Sequence, residues 1–249
     1  MIRAAVFDYG DTLVHHRIPF AAILPGAVRA AYLVFAEAGF ESTFEEFRSV
    51  NDSVFAGFAE AEAREDRDIP DTTKYNELAR RLFPAKPVAW RRMIANSANR
   101  EFHDFGAKYR LVGRGARSSL EELKSMGLKM AVLSNHSDQG ALERGLKQFE
   151  LDSYFFRVFS SSELGVRKPD PRAFAKCIAS LRVRADKTVF VGDSLKNDIA
   201  GAKACGMTAV FVDHETNQDV PSGAPTPDFS VTTLSGIPGI IRRLNSARG

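Results

Sequence analysis

The sequence predicts an α/β protein: a doubly wound parallel sheet with an all-helical block inserted after its first strand. Two observations support this fold class. From about residue 113 onward, short apolar runs rich in Val and Phe alternate with helical stretches, a pattern typical of parallel strands covered on both faces. Between about residues 19 and 105 the patterns are almost entirely helical. The run IRAAVF at residues 2–7 fits the same sheet, which places the helical block after its first strand.

Four helices are predicted in the inserted block. Pro25-Gly26 opens the first helix, and Gly39 closes it. Ser42 and Thr43 stand three residues before Glu45 and Glu46, a capping-box pattern that predicts the start of a second helix. The second helix is expected to end near Asp66, the third to run from Asp71-Thr72 to about Phe83, and the fourth from Pro87 toward Phe102.

Strands and helices alternate in the rest of the chain. The predicted strands after IRAAVF are the runs LKMAVLS, FFRVFS, TVFVG and TAVFV. Helical stretches near residues 118–126, 139–149, 173–181 and 195–205 separate them, and a last short strand and helix follow. The predicted domains are therefore a discontinuous α/β core, residues 1–17 and 106–249, and a helical domain, residues 18–105.

Composition narrows the classes of partner. The chain has 249 residues, 44% of them apolar, which is enough for a sizeable core. Its net charge is only +3, and no long basic run predicts binding to nucleic acid. No targeting or membrane-spanning segment is expected, because the apolar run at the N-terminus ends at Asp8. Cys177 and Cys205 are interpreted as free thiols in a reducing compartment. We therefore expect a cytoplasmic protein, of undetermined oligomeric state, with no nucleic-acid or membrane partner.

Polar residues follow directly after three of the predicted strands. They are Asp8 after AAVF, Ser134-Asn135 after MAVL, and Gly192-Asp193 after TVFV. Lys168 lies between the last two along the chain. In open parallel sheets ligands bind outside the carboxyl ends of the strands, so we expect two carboxylates, a hydroxyl and an ammonium to converge on one crevice.

The runs FDYGDTL, VLSN, GVRKPDPRAF and VGDSLKND occur in that order, with the helical insertion after the first. Together they resemble the four motifs of the haloacid dehalogenase superfamily. The resemblance covers nearly the whole chain. It implies a Rossmann-like core, a mobile helical cap between the first and second motifs, and phosphoryl transfer on a nucleophilic aspartate.

The resemblance also implies a role for each motif residue. Asp8 corresponds to the nucleophile, and Ser134 and Lys168 are the other catalytic residues. The expected substrate-binding residues are Thr12, Ser134, Asn135 and Lys168, and the expected magnesium ligands are Asp8, the Gly10 carbonyl, Asp193 and Asp198. These roles agree with the chemistry. A carboxylate that attacks a phosphate monoester needs positive charge between the two anions, which Mg²⁺ and Lys168 can supply.

Gly10 departs from the family pattern. In family phosphatases the position two residues after the nucleophile is usually a second aspartate, which protonates the leaving oxygen and activates water. Asp11 is interpreted as a loop or capping carboxylate, because neighbouring side chains of an extended segment point to opposite sides. His15 and His16 are the nearest titratable residues that could supply a proton instead, but we expect them in the hinge into the helical domain.

Three interpretations follow from the missing acid. The first, which we favour, is a Mg²⁺-dependent phosphatase for a small phosphorylated molecule, with an aspartyl-phosphate on Asp8. The second is a 2-haloacid dehalogenase, because a halide leaves without a proton. The third is a binding or regulatory protein that keeps the phosphate pocket and turns over little. The acidic pair in GDSLKND resembles a metal site, which dehalogenation does not need.

Overall fold

A six-stranded parallel sheet forms the centre of the protein. The computed structural model describes residues 1–214, 223 and 225–246. The sheet strands are β1 (Ala4–Phe7), β4 (Lys129–Ser134), β5 (Arg157–Ser160), β6 (Thr188–Gly192), β7 (Thr208–Val212) and β8 (Phe229–Val231). Their spatial order is β5-β4-β1-β6-β7-β8, and every neighbouring pair is parallel. The predicted α/β fold class is confirmed.

Helices cover both faces of this sheet. They are α5 (Ala116–Ser125), α6 (Gln139–Gln148), α7 (Ser161–Leu164), α8 (Pro171–Leu181), α9 (Ala200–Ala204) and α10 (Ile237–Ser246). One apolar cluster joins α5, α6 and α10 to the sheet, and a second joins α8 and α9 to the opposite face. Successive residues of β1 alternate between the two clusters, Ala5 and Phe7 in one and Ala4 and Val6 in the other. A strand buried on both faces therefore has no polar alternation.

Four helices follow β2 (Val14–His16) and precede β3 (Arg110–Val112), and they form the inserted block. They are α1 (Phe20–Glu37), α2 (Phe44–Glu65), α3 (Asp71–Leu82) and α4 (Val88–Ala107). They surround an apolar cluster of their own that is rich in aromatic residues. The capping box of α2 is present as predicted. Thr43 is the N-cap residue, and the Glu46 side chain accepts the backbone N–H of Thr43 at 2.9 Å.

The first helix begins five residues earlier than predicted. We expected Pro25-Gly26 to open it, but α1 starts at Phe20 and contains Pro25. Pro25 is the sixth residue of α1, beyond the first turn, so it cannot donate the helical hydrogen bond to the Ala21 carbonyl. Gly26 has a packing role instead, since a side chain there would overlap the Phe105 ring of α4.

An antiparallel two-stranded ribbon connects the helical block to the sheet. β2 pairs with β3, with Val14 opposite Val112 and His16 opposite Arg110. The chain thus enters and leaves the block side by side. The sequence patterns did not indicate this ribbon, because each strand has only three residues.

Candidate active site

The register of the sheet brings the polar residues of three strands to one edge. Phe7 lies opposite both Val132 of β4 and Val191 of β6. Asp8 is therefore one residue beyond this row. Ser134 is two residues beyond it on β4, and Asp193 two residues beyond it on β6. The predicted convergence at the carboxyl ends of the strands is what the structure shows.

Lys168 lies between two carboxylates in the interior of this edge. Its Nζ donates to Oδ1 of Asp8 and to Oδ1 of Asp198, at 2.6 Å in each case. All three side chains are almost fully buried. Burial alone would lower the pKa of Lys168, but the charges of Asp198 and Asp8 outweigh it and raise the pKa above the ordinary lysine value. Lys168 is therefore a cation at every physiological pH.

The acids outnumber this cation. Oxygens of Asp8, Asp193 and Asp198 lie within 4.8 Å of one another. Burial raises the pKa of Asp8 to about 6, although Lys168 opposes the rise. Burial, followed by the charges of Asp8 and Asp198, raises the pKa of Asp193 to about 7. A second positive charge beside these oxygens would relieve the repulsion. A buried group of hard oxygen donors is the set that Mg²⁺ prefers, so the residues present fit the ion that the family implies.

Asp198 is held in place by its own backbone surroundings. It lies in a π-helical turn, Leu195–Ile199, and its Oδ2 accepts the backbone N–H of Ser194 at 3.0 Å. Its carboxylate packs directly on the Cα of Gly192, where any side chain would overlap it. The glycine before Asp193 thus makes room for Asp198. Sequence reasoning missed this role, for which the only signal was a glycine at the end of an apolar strand.

Asn135 acts on the backbone of Lys168. Its Nδ2 donates to the Lys168 carbonyl at 2.9 Å, and its Oδ1 accepts the Lys168 N–H at 2.8 Å. Both polar groups of this amide are therefore used within the protein. Asn135, which is among the substrate-binding residues expected from the sequence, thus also fixes the backbone of Lys168.

The first motif turns sharply after Asp8. Thr12 is buried, and its hydroxyl donates to Asp193 at 3.3 Å. Asp11 has a left-handed backbone, with φ of 51°, so the extended geometry that we assumed for it is wrong. Its side chain lines a cavity of about 550 Å³ beside Asp193 and Thr12. Gly10 is exposed, and a Cβ added there would have no atom within 4 Å.

Three histidines line that cavity as well. His15 and His16 belong to β2, and His214 follows β7. His16 Nε2 accepts from Arg110 Nε at 3.4 Å. Burial lowers the pKa of His16, and the charge of Arg110 lowers it further. His16 is therefore neutral near pH 7, and its Nε2 carries no proton to donate.

The helical block contacts the loop that follows Ser134 and the loop that carries Lys168. The loop before α3 supplies Asp68, which binds Arg167 at 3.3 Å and Ser161 through its other oxygen. Asp71, the first residue of α3, accepts the Ser137 hydroxyl at 2.6 Å and donates its own N–H to the Ser137 carbonyl at 3.0 Å. These contacts join residues far apart in the chain, and the sequence did not indicate them.

A buried polar cluster surrounds the Asp71 contact. Asp71 also accepts from His103 of α4 at 3.0 Å and pairs with Lys74 at 3.1 Å. These partners lower the pKa of Asp71 in spite of its burial. His136, in the loop after Ser134, packs against the His103 ring with centroids 5.6 Å apart. Burial lowers the pKa of His136 to about 4, so this ring is neutral where it meets the helical block.

Comparisons with known proteins agree with this geometry. A family model for haloacid dehalogenase-like hydrolases matches residues 2–206. Glyceraldehyde 3-phosphate phosphatase from Methanopyrus kandleri is 28% identical over 246 residues, covering 98% of this chain and 99% of that protein. Phosphoglycolate phosphatase from Pseudomonas fluorescens is 29% identical over 149 residues, covering 59% of this chain and 53% of that protein.

Solved structures show the same fold. A 2-haloacid dehalogenase from Pseudomonas syringae superposes with a TM-score of 0.72 at 21% identity, covering 98% of this chain and 100% of that chain. A phosphatase of the same superfamily from Thermococcus onnurineus gives 0.62 at 22% identity, covering 96% and 98%. The match of the family model to most of the chain, the shared fold and the four motifs at one sheet edge lead to one conclusion: this chain is a hydrolase of the haloacid dehalogenase-like family.

Proposed function

We propose that the protein is a Mg²⁺-dependent phosphatase for small phosphorylated molecules, with Asp8 as the nucleophile. The observation that carries the proposal is a group of three carboxylates with one ammonium: Asp8 and Asp198 are buried against Lys168, the half-buried Asp193 lies beside them, and the group has more negative than positive charge. The relatives named as phosphatases support the same reaction class, one of them over almost the full length of the chain.

Asp8 is oriented for attack by its neighbours. Lys168 binds its Oδ1, and the backbone N–H of Tyr9 also bonds to the carboxylate. An oxygen of Asp8 attacks phosphorus, the bond to the leaving oxygen breaks, and an aspartyl-phosphate forms. Water then attacks phosphorus, which releases phosphate and restores the carboxylate. Lys168 neutralises the charge that develops on the transferring group, and the Ser134 hydroxyl binds one of its oxygens.

Asp8, Asp193 and the Gly10 carbonyl would hold Mg²⁺, with Asp198 at the edge of the set. Both Asp198 oxygens already accept hydrogen bonds, from Lys168 and from Ser194. Asp198 therefore serves chiefly to hold Lys168. When bound, the ion would polarise the phosphoryl oxygens and offset the repulsion between Asp8 and an anionic substrate.

We further propose that the helical block, residues 18–105, acts as a cap whose closure sets the catalytic loops. Asp68 and Asp71 lie three residues apart and bind different loops, one next to Lys168 and the other beyond Ser134. Asn135 connects the second loop to the Lys168 backbone. Because the block contacts both loops when it is closed, its closure would align the Ser134 hydroxyl with the Lys168 ammonium.

The nucleophile assignment predicts loss of turnover in Asp8→Asn. Release of phosphate from p-nitrophenyl phosphate and acetyl phosphate would be measured with Mg²⁺ and with EDTA, beside chloride release from 2-chloropropionate. We expect Mg²⁺-dependent phosphate release that Asp8→Asn abolishes, because an amide is a far poorer nucleophile. Metal-independent chloride release without phosphate release would instead establish a dehalogenase. Phosphate binding without turnover would establish a binding protein.

The raised carboxylate pKa values predict pH-dependent stabilisation by Mg²⁺. A group whose pKa is higher in the folded than in the unfolded state stabilises the fold when protonated, and this stability is lost as the pH rises through the folded pKa. For Asp193 this stabilisation is lost as the pH rises from its ordinary pKa of 3.8 to its folded-state pKa of about 7. We expect the increase in Tm caused by Mg²⁺ to be larger at about pH 8 than at about pH 5.5.

Two variants test the source of that increase. Asp193→Asn should raise the Tm of the metal-free protein at about pH 8 and remove most of the response to Mg²⁺. Asp228 pairs with Lys203 and lies near the amino end of β7, at the edge of the sheet opposite the site. Asp228→Asn should therefore leave the increase in Tm caused by Mg²⁺ unchanged. Equal responses to Mg²⁺ at both pH values would contradict the assignment.

The proposed cap closure predicts a kinetic effect of Ser137→Ala. This change removes the hydroxyl that Asp71 accepts, and we expect kcat to fall about tenfold, as for the loss of one hydrogen bond to a charged group. Asp104→Ala is the matched control, because it removes another contact between the block and the core, with Arg144 at 3.0 Å, that touches neither of the two loops. It should leave kcat within about twofold. Equal losses in both variants would mean that the contacts only hold the two parts together.

The missing acid at Gly10 predicts a preference for good leaving groups, such as aryl or acyl phosphates. Space is available for a side chain at this position. Gly10→Asp should therefore accelerate hydrolysis of alkyl phosphates, by at most the ~10²–10⁴ of general acid catalysis, with little change for p-nitrophenyl phosphate. Gly10→Asn has the same size without the acid and should give no gain. Equal wild-type rates for alkyl and aryl esters would reveal another proton donor.

A further inference from the structure

Most of the large exposed apolar side chains belong to the helical block, but they do not share one face, and of the six in that block Leu33 alone lines the groove between α1 and α4. Among the described residues, nine large hydrophobic side chains are exposed, and six of them lie on α1, on α4 or in the segment leading into α1. These six are Ile18, Phe20, Leu24, Leu33, Val88 and Met93. Within the described part of the chain, α1 is the one helix that is long and apolar enough to span a membrane. Only 28% of its residues are buried. A helix this apolar is normally covered on more of its surface.

A groove of about 940 Å³ runs between the outer faces of α1 and α4. Ala30, Leu33, Val34, Ile94 and Phe105 form its apolar surface. The charged residues on its rim are Arg29, Glu37, Glu101 and Lys108. Across the described residues, none of these four charges belongs to an ion pair within the chain. The groove is thus apolar along its floor and has unpaired charges of both signs on its rim.

The order of the charges along α1 is self-complementary. Arg29, Leu33 and Glu37 follow one another at intervals of four residues, which puts them on one face of the helix. Leu33, in the middle, is 51% exposed. If a second α1 packs antiparallel with a two-fold axis at Leu33, Arg29 of each copy meets Glu37 of the other. The two leucines then meet at the axis, as a symmetric interface requires.

We propose that a second copy of this chain covers this face, through antiparallel packing of α1 against α1. The charge pattern favours this occupant over a lipid surface, because an interfacial helix carries mainly Lys and Arg around its apolar face, whereas here the two ends of the stripe have opposite signs. The proposal does not depend on the proposed function.

The first test is the mass of the protein in solution. Sedimentation velocity and light scattering, from micromolar concentrations to about 100 µM, should give twice the chain mass of 27.4 kDa. Leu33→Asp should give a monomer, because it buries two carboxylates at the axis. Phe156→Asp is the matched control: Phe156 is 61% exposed but precedes β5 on the core, and its variant should remain a dimer. Circular dichroism would verify that each variant is folded.

Charge reversal tests the register and remains decisive if Leu33→Asp fails to fold. Arg29→Glu should raise the dissociation constant about tenfold, since the symmetry changes two contacts at once. The double variant Arg29→Glu/Glu37→Arg restores opposite charges at both contacts and should recover the wild-type constant. A wild-type monomer at about 100 µM, binding of that monomer to anionic lipid vesicles, or a double variant no tighter than Arg29→Glu would overturn the proposal.

Discussion

The buried ammonium of Lys168 is the interaction on which the site depends. It is bound by Asp8 on one side and Asp198 on the other, at 2.6 Å each. An uncompensated charge in such a position would be strongly destabilising, so the two carboxylates contribute to the fold by pairing with Lys168. Asp8, the proposed nucleophile, is thus positioned by an interaction that also stabilises the folded state. A third acid, Asp193, makes the site electrostatically incomplete and ready for a cation.

The surrounding elements fix the positions of the residues that form this ion pair. The parallel register brings β1 and β6 to the same edge, Gly192 leaves room for the Asp198 carboxylate, and Asn135 fixes the backbone of Lys168. The helical block adds a further constraint through Asp71 and Ser137. Most of these contacts join residues that are far apart in sequence, although Gly192 and Asp198 are close together in the chain. The geometry of the site is therefore complete only once the sheet and its loops have folded.

This separation explains which features could be predicted from the sequence. The apolar runs locate the ends of β1, β4 and β6, and the edge rule for parallel sheets then groups Asp8, Ser134 and Asp193 without any knowledge of contacts. The roles of Asn135 and Gly192 could not be found in this way, because each depends on an atom that another strand or loop brings within reach. The predicted start of α1 is wrong because the prediction rests on a local preference of proline. The packing of α1 against α4 determines where the helix begins.

The structure shows whether a glycine is required at position 10. A glycine is often required because the backbone is left-handed or because a neighbour leaves no room. Neither reason applies here: its φ is outside the left-handed region, and the space beyond its Cα is open. The adjacent Asp11, not Gly10, has the left-handed conformation at this turn. Neither the backbone nor the packing demands a glycine, so the absence of a carboxylate at this position agrees with the proposed preference for a leaving group that departs without a proton.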